Sequence, residues 1–424
     1  MKRTLPDGFV GAVMAVESIS DALAFLHGPG GCRVRFMVYS SAVFPRMRLE
    51  EHDDYFVPYF YGYPRVPATY LDEYDFINGA YYKLEEGLPI IDGKRPKLVV
   101  IINSPGAGLI GDNHEKAIIE AGMRDRAIWM DEALVSMPMT EGYDHTLTEI
   151  MEHLAPERTH VDKDTVNLVG MTVLEKDWEY AVDEMRENLE AMGLKVRCVP
   201  GAGADLEQLR DSVNSEYNIV VCPEACARLC GFYESKGVRT IRSDKGAPVG
   251  FDAVEAWYRK IAEVTGKDPS VPLAKVAKAR DTIYRKFVGM KYNALRIKGL
   301  RFSIAGVSSV VRPLTEWLYT YLAVAPIGVD VDPGYDEKEV ECLKRFLESV
   351  DYSNSFGKEL VAGSNIVLCE GITALTMSLN GECMIGIPIG QSSMGLDDVI
   401  PRPIYGVQGS LFILDEILHG VRNS

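Results

Sequence analysis

One pattern limits the folds open to this chain more than any other. A short apolar run, a turn of small residues and an amphipathic helical stretch recur in that order along 424 residues. Leu98-Val99-Val100-Ile101-Ile102 leads into Asn103-Ser104-Pro105-Gly106, Val166–Gly170 precedes the helical stretch from Trp178 to Met192, and Asn218–Val221 precedes Cys222. Phe302–Gly306 and Ile366–Leu368 repeat the theme. Apolar runs without polar alternation suit strands buried on both faces of a parallel sheet. The pattern therefore predicts an α/β fold of doubly wound, Rossmann-like domains with parallel sheets around a central cleft. Two charged breaks, Glu157–Asp164 and the basic segment Lys275–Lys298, divide it into three expected domains: 1–160, 161–297 and 298–424. Ligands of such sheets gather beyond the carboxyl ends of the strands, where Ser104, Gly170, Cys222, Gly306 and Cys369 fall.

A second feature is chemical. His27-Gly28-Pro29-Gly30-Gly31-Cys32 places one thiol on a backbone nearly stripped of side chains, so a bulky group can approach closely. The soft thiolate of Cys32 suits iron-sulfur or zinc chemistry. The competing reading is a helix over Ser18–Leu26 that Gly28 and Pro29 merely stop. Among the remaining cysteines, Cys198, Cys342, Cys369 and Cys383 lie in or beside apolar runs and read as core residues. Cys222, Cys226 and Cys230, spaced four apart, would stack on one helical face, with Cys222 where a strand ends. Pro223 then suits the first helical turn, so the Cys222 thiol is expected at a helix N-terminus, more acidic and more accessible than Cys226 and Cys230.

Several function classes are excluded or unsupported. A net charge of −16 with scattered basic residues argues against nucleic-acid binding. No apolar run approaches a membrane span, and no signal-peptide core follows the Met-Lys-Arg start, so a cytoplasmic location is expected. Eight cysteines in a chain this long, with no secretory spacing, fit a reducing compartment. No Gly-x-Gly-x-x-Gly fingerprint follows the first strand, no Walker-type Gly-Lys-Ser/Thr is present, and no nucleophile elbow or paired zinc histidines appear.

Taken in order, the motifs resemble those of the nitrogenase component 1 superfamily. His27–Cys32 is similar to that family's His-Gly-Pro-x-Gly-Cys, Thr69–Gly79 to an acidic pair before Val-x-Gly-Gly, and Asn103–Asn113 to its Cys-Pro-x-x-Leu-Ile-Gly-Asp-Asp. Val221-Cys222-Pro223 through Gly237-Val238 resembles the strand, cysteine and helix that carry a cofactor thiolate in the nitrogenase α subunit. Ala247–Gly250, Gly386-Ile387-Pro388 and Tyr405–Gly409 resemble later Pro-x-Gly, Gly-x-Pro and Gly-Tyr-x-Gly turns.

The resemblance implies an iron-sulfur cluster, with His27, Gly28, Gly30 and Gly31 as its cradle and Cys32 as a ligand. It also marks departures. Of three cysteines that hold the relay cluster in full members, only Cys32 is present; Asp7 and Ser104 stand at the other two places, where oxygen ligates iron more weakly than thiolate. One chain then cannot complete a four-ligand site, which implies a homodimer or a heterodimer with a paralogous component 1 subunit, and an ATP-dependent iron-protein reductase as electron donor. Cys222 is the implied contact for a second metallocofactor or a tetrapyrrole, although no histidine lies between Pro388 and Tyr405 to help it. Three functions stay open: an oxidoreductase subunit that reduces a substrate in the cleft, a cofactor-assembly scaffold working through Cys222, and a metal-free structural subunit of a heteromer.

Overall fold

The computed structural model describes residues 3, 5–34, 36, 59–60, 63–64, 66–93, 95–130, 134–289, 297–390 and 399–423. Three parallel sheets carry the architecture, as the apolar runs predict. The first has the order β1–β4–β5, with β1 Ala22–His27, β4 Leu98–Asn103 and β5 Ala127–Met130; a small antiparallel pair, β2 Tyr59–Phe60 and β3 Tyr63–Pro64, lies between them in sequence. The second has the order β7–β6–β8–β9, built from β6 Asp162–Val169, β7 Lys195–Cys198, β8 Ser215–Val220 and β9 Arg239–Ile241. The third repeats that order as β11–β10–β12–β13, from β10 Arg301–Gly306, β11 Ala325–Val331, β12 Ile366–Cys369 and β13 Ile385–Pro388. In both four-stranded sheets the first strand is flanked by the second and the third. A chain that winds one way and then the other leaves a crevice at that switch point.

One local expectation is overturned. Ser18–Leu26 does not form a helix: the helix lies earlier, at Gly8–Glu17, and Ala22–His27 is a strand buried along its whole length and paired with β4. The polar residues Ser18, Ser20 and Asp21 all precede the continuous apolar run Ala22–Leu26, which has no polar face to set a 3.6-residue period, so burial in the sheet decides its conformation. The expected basic segment Lys275–Lys298 is occupied by a helix over Ser270–Gly289; its residues 290–296 lie outside the described residues.

Two helices tie the sheets together. Helix Gly8–Glu17 is fully buried and crosses helix Met139–Leu154 at backbone contact, since a Cβ at Gly142 would stand 2.3 Å from the Gly8 carbonyl oxygen. Met139–Leu154 then reaches the second sheet through Asp144, whose carboxylate accepts from the Arg228 amide at 2.6 Å and the Leu229 amide at 3.0 Å. The C-terminal helix Gly406–Asn423 packs on β13 and also on helices of the second unit. There Glu184 accepts from the Val407 amide at 2.7 Å and the Gln408 amide at 3.1 Å. A carboxylate on otherwise orphaned first-turn amides is favoured by the helix dipole, so each contact fixes a helix end across a boundary.

Candidate functional site

The segment that carries Cys32 leaves β1 beside the end of β4: it turns at Gly28-Pro29, and residues 30–34, Cys32 among them, are helical rather than the open loop expected. His27 pairs with Asn103 across these strands, and the Ser104 amide donates to the His27 carbonyl at 2.9 Å. The imidazole of His27 is buried, with Nδ1 3.1 Å from Thr69 Oγ1 and Nε2 3.0 Å from Asp112 Oδ2. Thr69 Oγ1 also accepts from the Gly28 amide at 3.1 Å, so its hydroxyl proton is directed to Nδ1 and the ring proton sits on Nε2, donating to Asp112. Burial lowers the imidazole's pKa, against the pull of Asp112, and keeps this tautomer neutral. His27 therefore fastens the loop from behind. Both its ring nitrogens are engaged.

The glycines do different work. A Cβ at Gly28 would meet Ser104 Cβ and Oγ at 2.7 Å, and one at Gly30 would meet the Tyr70 ring at 2.8 Å, whereas at Gly31 nothing lies within 4 Å. The loop is thus pressed against Ser104 and Tyr70 on one side and open at Gly31. Cys32 is half-buried and in no disulfide. Ser104 Oγ is buried without a hydrogen-bond partner among the described residues. An open glycine beside a half-buried thiol, with an orphaned hydroxyl at the loop base, fits a group held at the surface and shared with another chain. Asp7 is placed differently: its carboxylate caps helix Gly8–Glu17, accepting from the Val10 amide at 3.1 Å. It also lines a cleft of about 270 Å³ with Met137, Pro138, Val307, Asp332 and Pro333. The four candidate ligands therefore fall into distinct settings, with Ser104 against the Cys32 loop, Asp7 on the cleft and Cys222 in the second sheet.

Cys222 follows β8 next to the end of β6, at the switch point of the second sheet. Gly170 makes this possible: its φ is +83°, and a Cβ there would lie 2.1 Å from the Cys222 carbonyl oxygen. The thiol is 1% exposed but sits outside the apolar core cluster, among polar groups. Sγ donates to Glu224 Oε2 at 3.1 Å and lies 3.5 Å from Ser309 Oγ. Glu224 in turn receives the Ser309 amide at 2.7 Å, the Ser309 hydroxyl at 2.6 Å and the Ser308 hydroxyl. Burial raises the Cys222 pKa well above the ordinary thiol range, and the carboxyls of Glu224 and Glu175 add to the rise. Glu175, fully enclosed nearby, is pushed by burial up to about 7, with the Tyr405 hydroxyl beside it pulling the other way.

These contacts correct the expectation of an accessible thiolate. A 3-10 turn, Pro223–Ala225, separates Cys222 from helix Ala227–Ser235, so the three cysteines do not share one helical face. The helix's first amides are held by Asp144 rather than by a thiolate. Cys230 is half-buried and Cys226 buried, so Cys230, not Cys222, is the most accessible of the three. Cys342, read as core, is likewise only half-buried. Among the described residues no group of three or more His, Cys, Asp or Glu side chains is arranged to hold a metal ion. Residues 391–398 of the histidine-free segment Pro388–Tyr405 lie outside the described residues. Sequence reasoning misses Glu175, Glu224, Ser308 and Ser309; their signal is position, since all four follow strands β6, β8 and β10 on the ligand side of the sheets.

The profile described as nitrogenase component 1 type oxidoreductase matches residues 8–368. The chain belongs to that family. The B-type chain of light-independent protochlorophyllide reductase from Chloroflexus aurantiacus is 23% identical over 386 residues, covering 84% of this chain and 67% of the relative. Its counterpart from Halorhodospira halophila is 30% identical over 127 residues, covering 30% of this chain and 23% of the relative. Among solved structures, a chain of nitrogenase Cp1 at pH 6.5 superposes with a TM-score of 0.77 at 16% identity, over 100% of this chain and 94% of that one. At that identity the likeness concerns the fold, which is the Rossmann-like α/β arrangement of this nitrogenase component 1 type member. No helix among the described residues is long and apolar enough to cross a membrane.

Proposed function

We propose that this chain is the subunit of a nitrogenase-like oxidoreductase into which low-potential electrons pass at the Cys32 loop from an ATP-dependent iron-protein partner. The observation that carries this reading is the loop itself. Cys32 is half-buried beside the open Gly31, and the chain carries exposed apolar side chains close in sequence to it (Val34, 50% exposed) and to the residues that pack on Gly28 and Gly30, Ser104 and Tyr70 (Leu109 89%, Ile77 82% and Tyr74 64%). Exposed apolar side chains on a chain of charge −16 support an assembly surface there. An iron-sulfur cluster bound there supplies one-electron storage at low potential. Within this chain Cys32 would supply the thiolate, Ser104 an oxygen ligand or hydrogen bond, and His27 the fixed loop base, while a second chain supplies the missing thiolates. That second chain is another copy or a paralogous subunit, and the assembly works in the cytoplasm. The reducible substrate then docks in the cleft lined by Asp7, Val307 and Asp332, between units spanning 1–160 and 298–424. Arg3 supports that wall, bonding Asp332 at 2.8 Å and Asp330 at 3.2 Å.

The scaffold alternative relies on Cys222 as a ligand, and its thiol is already engaged with Glu224. Anaerobic co-expression with a candidate partner chain and iron protein tests the reading. Iron and acid-labile sulfide in the complex, with iron-protein oxidation that needs both ATP and this chain, are expected. A metal-free complex, or oxidation indifferent to this chain, would overturn it.

A further inference from the structure

We infer that Cys222 is a hydrogen-bond donor in a closed latch between the second and third sheets, and that this chain carries no metallocofactor on that thiol. The inference goes beyond the electron-entry reading and stands if that reading fails, because it rests on hydrogen bonds around Glu224 alone.

A carboxylate has room for about four hydrogen bonds, two per oxygen. Glu224 uses them all. Oε1 accepts from the Ser309 amide at 2.7 Å and from the Ser308 hydroxyl, while Oε2 accepts from the Ser309 hydroxyl at 2.6 Å and from the Cys222 thiol at 3.1 Å. These donors have few alternatives. The Ser309 amide belongs to the first turn of helix Ser308–Leu322, where it has no intrahelical acceptor, and Ser308 Oγ receives the Asp336 amide at 3.0 Å while giving its own proton to Glu224.

Protonation follows from this geometry. An ionised carboxylate only accepts, so the sulfur facing Oε2 must carry its proton for the contact to be favourable. A thiol that binds iron would have to surrender that proton and turn its lone pair toward a cation. Glu224 would then face a thiolate 3.1 Å away, and its oxygens would have to drop serine donors to help the metal. The wall behind the thiol is closed too. The Gly170 Cα lies so near that a Cβ would be 2.1 Å from the Cys222 carbonyl oxygen, Cys226 Sγ donates to that carbonyl at 3.3 Å, and Cys222 is 1% exposed. The soft donor of the switch point has been absorbed into an oxygen-rich polar cluster. What Glu224 holds is the N-terminus of a helix from the neighbouring sheet, not a ligand.

The test uses the full chain, reconstituted anaerobically with ferrous iron and sulfide, alongside Cys222→Ala, Cys222→Ser, Glu224→Gln and Cys32→Ala. Iron per chain and the electron paramagnetic resonance spectrum of Cys222→Ala are expected to equal those of the parent. Cys222→Ser, which keeps a donor and nearly the same volume, gives the same reading should the alanine variant fail to fold. Glu224→Gln puts an amide NH2 against hydroxyl and thiol donors. Hydrogen exchange of the Ser309 amide is therefore expected to quicken about tenfold, and alkylation of Cys222 by iodoacetamide to quicken with it, as local opening becomes easier. Loss of iron in Cys222→Ala or Cys222→Ser would overturn the latch, as would a Ser309 amide whose exchange is indifferent to Glu224→Gln. Should the parent itself take up no iron, the exchange measurement alone decides.

Discussion

The loops after β1 and after β8 both put a cysteine at the carboxyl end of a parallel strand, yet they finish in opposite states. At Cys32 the glycines leave space, the thiol is half-buried and the polar groups behind it, His27, Thr69 and Asp112, are satisfied among themselves. At Cys222 the polar groups close over the thiol and hold it. The difference lies in where the carboxylate stands. Asp112 braces its loop from the far side of His27 and leaves the space beside Gly31 open, whereas Glu224 faces the Cys222 sulfur directly. A strand end offers a site only when the neighbouring charge supports the loop without filling it.

The most severe way to break this contrast is at Gly170. An alanine there must hold φ near +83° and put its Cβ 2.1 Å from the Cys222 carbonyl oxygen. Left-handed strain of about 1–2 kcal/mol adds to a clash with backbone that cannot rotate away. Gly170→Ala is expected to destabilise the chain by at least about 3 kcal/mol in urea unfolding. A loss below about 1 kcal/mol would mean that the switch point is looser than this geometry implies.

Titration gives the next largest effect. The Glu175 carboxyl is held at about 7 in the folded chain by burial, against an ordinary value of 4.5. The folded state therefore keeps a proton that the unfolded state releases. The stability tied to this proton is complete below pH 4.5 and is lost as pH rises through about 7, an amount of about 3 kcal/mol. Glu175→Gln cannot titrate, so the variant should gain on the parent as pH rises from 5 to 8. Parallel melting curves for the two proteins across that range would show that Glu175 is not enclosed. The Cys32 region should be indifferent to the same change.

Much of the architecture is legible in the amino-acid sequence. Sheet composition and the strands Leu98–Ile102, Asn218–Val221 and Phe302–Gly306 follow from apolar runs bounded by small residues, and the family from motifs in their order. Ser18–Leu26 is ambiguous because its second half, Ala22–Leu26, is wholly apolar and carries no period. The state of Cys222 is unreadable for another reason. Its contacts come from Glu224, two residues away, and from Ser309, 87 residues away, and no local pattern announces that β10 will end beside β8. Spacing of four suggests a cysteine stripe, but Pro223 opens a 3-10 turn and breaks the count. His27 resembles part of a cradle, whereas in the structure its ring is committed to Thr69 and Asp112.

A smaller perturbation sharpens the open side of the contrast. Asp112→Ala would leave the Nε2 proton of His27 and the Ala80 amide, now 3.1 Å from Asp112 Oδ1, without their acceptor. The expected cost is about 1–3 kcal/mol. The loop base should loosen, so iron retained by the assembled complex falls although Cys32 is intact. Asp112→Asn, which keeps one acceptor oxygen, should recover most of the stability. If both variants matched the parent in melting and in iron, His27 would not be what fixes the loop.

Cys32→Ala is expected to have the least effect on folding, and that is its value. The sulfur is half-buried beside the core, so its removal costs about 0.5–1 kcal/mol, at the low end of what single substitutions cost. The backbone of the loop does not depend on it. Cys32 donates its amide to the Pro29 carbonyl at 3.2 Å, and the loop's anchorage runs through Gly28, Thr69 and Ser104. A folded variant with parent-like melting should nevertheless lose the iron of the complex and associate more weakly with the chain that completes the site. Equilibrium unfolding of the isolated chain, with iron analysis and sedimentation of the complex, separates the two effects. Parent-like iron would remove Cys32 from the ligand set. A large drop in melting temperature with iron retained would make the cysteine a packing residue and erase the distinction between the two strand ends.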